Sequence, residues 1–143
     1  MAITIDTIVD RVRSLCVGQP FGFTEAVSTE DFALQPSGRG DQVFRVKARG
    51  GPTRAQMAYV EERTDLIEIE AIRAINADYD ATRRLLLKDI TSLTAAIIRD
   101  GHVSSGGEYS VPDGGRTSEV MGRPGASFLT LRLTVPVNYE TNV

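Results

Sequence analysis

The chain has 143 residues, 41% hydrophobic and 24% charged, which is the make-up of one ordinary globular domain over residues 1–143 rather than of a disordered or fibrous segment. Sixteen Lys plus Arg stand against nineteen Asp plus Glu, and this net charge of −3 argues against a protein that wraps duplex DNA or coats an anionic membrane. The apolar runs are far shorter than the roughly 20 residues of a bilayer span, and Asp6 and Asp10 stand where a secretory leader needs a basic start and an apolar run, so synthesis and first residence are expected in the cytoplasm.

Residues 5 to 16 set Ile5, Ile8, Val9, Val12 and Leu15 at helical spacing with Asp6, Asp10, Arg11 and Arg13 between them, which predicts an amphipathic helix closed by Gly18 and Pro20. From Gln19 to Gly40 no period is sustained, and an ordered but irregular connection is expected, with room for a short strand near Phe32. Gln42 to Arg49 alternates Phe44, Val46 and Ala48 with Arg45, Lys47 and Arg49, the pattern of a half-buried strand, and Gly50, Gly51 and Pro52 then turn the chain. Gln56 to Ile75 reads as extended, with Ile67, Ile69 and Ala71 opposite Glu68 and Glu70, although Leu66, Ile69 and Arg73 also fit a helix.

The clearest element runs from Asp78 or Asp80 to Asp100: Leu86, Ile90, Leu93 and Ile97 recur at three- and four-residue intervals, acids stand in the first turn, Arg99 in the last, and Gly101 follows as a C-cap. Glu108 to Val111 allows a short strand. Pro112 to Gly125 holds four glycines and two prolines, and with the residues before it predicts a loop or mobile arm over 104–125. A final strand from Phe128 to about Tyr139 alternates Leu129, Leu131, Leu133, Val135 and Val137 with Thr130, Arg132 and Thr134. Pro136 lacks an amide donor, so an interrupted ladder and a released tail over Val137–Val143 are expected. The whole reads as an α+β domain, a mainly antiparallel sheet with an N-terminal helix and one long central helix packed on one face.

Catalytic chemistry is sparse. His102 is the single histidine, just past a helix end, and is read as a solvent-facing residue rather than a general base. Cys16 has no CxxC partner and reads as a small buried hydrophobe. These two are the only Cys and His residues, so a structural zinc site is excluded, and no cofactor is expected. The glycines after Ser104 lack the GK[ST] that would make them a phosphate cradle, and Arg39-Gly40-Asp41 is read as a chance turn sequence. The informative feature is the sorting of charge. Arg39, Arg45, Lys47, Arg49 and Arg54 accompany one acid, Asp41, whereas Glu61, Glu62, Asp65, Glu68 and Glu70 accompany one base, Arg63. Two accounts are open: pairing across strands of one sheet, or complementary strips that meet between copies of the subunit.

The amphipathic N-terminal helix, the segment YVEERTDLIEIEAIRAI, the acid-started helix DYDATRRLLLKDITSLTAAIIRDG, a glycine-rich excursion and the closing strand FLTLRLTVPVNYE together resemble the tail terminator, or tail completion, proteins of long-tailed bacteriophages and phage-like particles. The resemblance covers nearly the whole chain and includes a terminal strand ending in a tyrosine, here Tyr139. It implies a structural virion protein, not an enzyme, that forms a ring, commonly a hexamer, on the head-proximal end of the tail tube, stops tube polymerisation and offers its other face to the head–tail connector. DNA would pass the axial channel without specific binding, no membrane would be involved, and the protein would reside in the neck of the virion after assembly in the host cytoplasm. Interface residues are then expected at Arg45, Lys47, Arg49, Glu68 and Glu70 on the charge-sorted strands, at Arg116 and Arg123 on the excursion, and at Tyr139. The competing readings are a head–tail connector or stopper protein of the neck, and a small ligand-binding or hydrolytic α+β domain using the acidic strand.

Overall fold

Thr4 and Asp78 each precede an amphipathic run and accept hydrogen bonds from otherwise unpaired first-turn amides, Thr4 Oγ1 from Thr7 N at 3.4 Å and Asp78 Oδ1 from Asp80 N at 3.0 Å. The helices they start are α1 (Ile5–Val17) and α2 (Tyr79–Arg99). The computed structural model describes residues 3–18, 21–25, 42–75, 78–101, 109–122 and 128–142. Among the described residues seven strands lie between and after the helices: β1 (Thr24–Glu25), β2 (Gln42–Arg49), β3 (Thr53–Met57), β4 (Val60–Ala74), β5 (Tyr109–Ser110), β6 (Thr117–Met121) and β7 (Phe128–Asn142).

The sheet is built on β4 and β7, which pair antiparallel over their full lengths, from Val60↔Asn142 to Ala74↔Phe128. Along the other side of β4 lie β2, opposite Leu66–Arg73, and β3, opposite Val60–Arg63. Along the other side of β7 lie β6, opposite Thr130–Thr134, and β5, opposite Asn138–Tyr139. Among the described strands only β1 is parallel to its neighbour, β2. The fold is thus α+β with a mainly antiparallel sheet.

Because strand side chains alternate, the register decides the two faces. Phe44, Ile67, Ile69, Ala71, Leu129, Leu131, Leu133, Val135 and Val137 point to one face and join Ile8, Val12 and Cys16 of α1 and Leu86, Leu93 and Ile97 of α2 in a single buried cluster. Three polar clamps tie the helices to this face and to each other. Arg73 of β4 donates to both carboxylate oxygens of Asp89 on α2, at 2.7 and 3.1 Å, and its guanidinium lies 5.2 Å from the ring centroid of Phe23. Arg11 of α1 donates to both oxygens of Asp100 at the end of α2, at 3.0 and 3.2 Å. Tyr109 of β5 donates to Asp100 Oδ2 at 2.7 Å, and burial followed by this hydrogen bond raises its hydroxyl pKa strongly.

The stretch from Gln56 to Ile75 is extended, as expected, and contains the end of β3, a two-residue turn at Ala58–Tyr59, and β4. Several other expectations are corrected. Pro112–Gly125 does not form a loop throughout, because its punctuation brackets β6, whose Glu119 lies opposite Arg132 and whose Val120 packs on the core. Pro136 does not interrupt the ladder. It pairs with Leu66, and it falls between the stretches of β7 that meet β6 and β5, where a missing amide costs no bond on that side. The tail is therefore not released at Val137: pairing continues to Asn142, with Val137 and Tyr139 buried. Asp100 rather than Gly101 caps α2, its amide bonding to the Ala96 and Ile97 carbonyls. Gly101 instead allows close approach, since a Cβ there would lie 3.0 Å from the Tyr109 carbonyl oxygen. The strand considered near Phe32 and the environment of His102 lie outside the described residues.

Candidate functional site: a charged sheet face and a projecting hairpin

The sheet face turned away from the helices carries the sorted charges. Its rows read Arg45–Glu70–Arg132–Glu119 across β2, β4, β7 and β6, and Lys47–Glu68–Thr134–Thr117 beside it. Arg45 Nη2 lies 2.7 Å from Glu70 Oε1, and Arg132 lies 3.9 Å from Glu70 and 3.4 Å from Glu119. Glu68 receives Lys47 at 3.4 Å and is also paired with Arg49. Both central carboxylates are nearly closed to solvent, Glu68 at 6% and Glu70 at 7% exposure, yet each meets two cations, which offset the cost of burying a charge. Of the two accounts of the charge sorting, pairing across strands of one sheet is therefore present in the structure.

Arg45, Lys47, Arg49, Glu68, Glu70 and Arg132 line an open concavity of about 450 Å³. Its cations and anions already meet one another. A hydrolytic site on the acidic strand would need a carboxylate free to take or give a proton near a reacting group, and Glu68 and Glu70 are engaged by Arg and Lys instead. Among the described residues no group of three or more His, Cys, Asp or Glu side chains could hold a metal ion, and no helix is long and apolar enough to cross a membrane.

The other expected interface residues have different surroundings. Arg116 is exposed just before β6, beside Thr91 and Thr94 of α2. Arg123 lies outside the described residues. Tyr139 is only 5% exposed, with its side chain turned to the interior. Its hydroxyl donates to Asp65 Oδ2 at 2.5 Å, and burial, with that bond, raises its pKa to about 12. Cys16 is buried as expected, and desolvation pushes its thiol up to about 12.

Asp65 is the centre of an arrangement that the sequence did not reveal. Besides Tyr139 it accepts from Gly51 N at 2.8 Å and from Arg63 Nη2 at 3.3 Å, and Arg63 also donates to the Gly51 carbonyl at 3.0 Å. This set fixes the turn between β2 and β3 against β4. Gly51 is required by space: a Cβ there would lie 1.8 Å from the Thr64 carbonyl oxygen. Beyond that turn β3 and the start of β4 form a hairpin arm that extends past the end of α2, because α2 ends at the level of Tyr109 and Tyr139, where Tyr109 Oη donates to the Ile97 carbonyl at 3.3 Å. All five β3 residues are exposed.

At the tip Met57 is 78% and Tyr59 81% exposed, Val60 follows, and Ala58 turns with φ of +53°. The arm is internally ordered: Thr53 Oγ1 donates to Glu61 Oε1 at 2.6 Å and Arg63 lies 2.7 Å from the same oxygen, and these contacts hold the Glu61 carboxyl below its usual range. The sequence carries no Asn-Gly or Asp-Gly turn signal at this tip, and Met57, Ala58, Tyr59 and Val60 are apolar without alternation.

No protein-family model matches the chain, and a search of the curated proteins finds no significant match.

Proposed function

We propose that this protein is a ring-forming structural subunit of the tail-terminator kind, one that closes the head-proximal end of a phage-like tail tube, ends its polymerisation and joins it to the head connector. The ring would be a hexamer with an axial channel through which DNA passes without specific recognition, assembled in the host cytoplasm and retained in the neck of the virion. The element order that carries the resemblance supports this reading: an N-terminal helix, a central pair of strands, one long helix and a long closing strand.

The observation that carries it is the β3–β4 arm. A chain that works alone gains nothing from an ordered hairpin with Met57 and Tyr59 in water, whereas an assembling subunit can bury such a feature against a neighbour. The charged ladder is not needed as a subunit contact here, since its members are paired within the chain.

The test is sedimentation of the purified chain followed by co-sedimentation with isolated tail tubes and, separately, with empty heads. A ring that binds tubes is the expected result. Binding to heads but not to tubes would favour a connector or stopper of the neck. A monomer that binds neither would overturn the proposal.

A further inference from the structure

We infer that the outer face of the arm tip in one copy docks on the exposed face of the first half of α2 in the next copy. This rests on the ring reading and specifies the contact that would build the ring.

The register puts Met57 opposite Val60 and Glu62 opposite Glu140, and two-residue alternation puts Val60 and Glu62 on one face, so the tip presents an apolar pair followed by two acids directly across from each other. Like charges directly opposite on neighbouring strands are destabilising. Arg54 reaches Glu62 only at 3.9 Å. On α2 the exposed residues include Leu85 and Leu87 together with Arg83, Arg84 and Lys88, and none of these three cations makes an ion pair among the described residues. Arg84 and Lys88 are four apart on a helix, again a like-charge pair that is unfavourable in the free chain.

The two surfaces therefore match in kind: apolar side chains beside self-repelling acids on one, apolar side chains beside self-repelling bases on the other. Contact between them would relieve both repulsions and cover Met57, Val60, Leu85 and Leu87 together.

They cannot meet within one chain. Asp89, one residue past Lys88, is held by Arg73 at the Leu129 end of the sheet, and 13 residue steps of β7, about 43 Å, separate Leu129 from Asn142 beside the arm. Two different complementary surfaces at opposite ends of a subunit give a head-to-tail contact, which closes into a ring when the rotation allows.

Sedimentation velocity on the full-length protein tests the contact with three variants, E62K/E140K, R84E/K88E and the combination of all four changes. Each double reversal is expected to weaken association at least tenfold, and the combination to restore it. Wild-type rings that persist unchanged in both double variants would overturn this contact while leaving the ring reading intact, and weakening without rescue would overturn the pairing of these two surfaces. A monomeric wild type would overturn both the contact and the ring.

If a reversal disturbs folding, oxidative cross-linking of a mixture of M57C and L87C proteins decides the matter. A disulfide-linked M57C–L87C heterodimer supports the contact, and its absence from a mixture that still forms rings overturns it.

Discussion

One strand, β4, passes through two settings. From Leu66 to Ala74 its inner face lies under the helices, and Ile67, Ile69 and Ala71 are closed to solvent. From Val60 to Arg63 it runs beside β3, and its side chains are exposed or half-buried. Backbone pairing with β7 is continuous through both halves, so hydrogen bonding does not distinguish them. What differs is the apolar area removed from water, the larger favourable contribution to folding. The covered half thus holds the fold together, whereas the arm is kept in shape by local polar contacts.

Substitutions can break or sharpen that contrast. The largest effect is expected in the covered half: Leu133→Ala, at a side chain 1% exposed between β4 and α2, should cost about 2–5 kcal/mol in urea unfolding. At the junction, Gly51→Ala forces a methyl group onto the Thr64 carbonyl and should cost about 1–3 kcal/mol through overpacking, with loss of the fixed angle between the two halves detectable in the amide spectra of Thr53–Arg63.

Tyr139→Phe leaves Asp65 with one hydrogen-bond donor fewer in a buried place and should cost about 1–3 kcal/mol. The same tyrosine gives the wild type a dependence on pH. Its hydroxyl has an ordinary pKa near 10 in the unfolded chain and about 12 in the fold, so the unfolded state releases the proton first. The resulting stability is fully present below about pH 10 and is lost as pH rises through about 12. Urea midpoints measured from pH 9 to pH 12 should fall less steeply in Tyr139→Phe than in the wild type. The smallest effect is expected at the tip, where Met57→Ser and Tyr59→Ser should change stability by less than about 0.5 kcal/mol. A loss comparable to that of Leu133→Ala would remove the distinction between the two halves.

The covered half was readable from sequence because burial on one face imposes a period. The repeats of α2, the alternation of Gln42–Arg49 and the run from Leu129 to Val137 each follow from one apolar face and one wet one. The arm gives no such signal, since a hairpin exposed on both faces needs no apolar alternation, and its Ala58–Tyr59 turn uses neither glycine nor asparagine. The glycines and prolines of Pro112–Gly125 suggested mobility, but they punctuate a short paired strand, and composition does not tell the end of a strand from a free loop. In sequence Asp65 is one of a run of acids, with Glu61, Glu62, Glu68 and Glu70. Its partners Gly51 and Tyr139 lie 14 and 74 positions away, and only the fold brings them together.

Cys16 has a practical consequence. Its side chain is closed to solvent in the core between α1 and the sheet, and a thiol titrating at about 12 holds almost no thiolate at neutral pH. Thiol reagents therefore reach it only when α1 lifts from the sheet, and under conditions where reclosing outpaces labelling the modification rate reads the free energy of that opening. The native cysteine acts as a built-in gauge of core integrity, silent enough that a single cysteine introduced on the surface can be labelled beside it without first removing it.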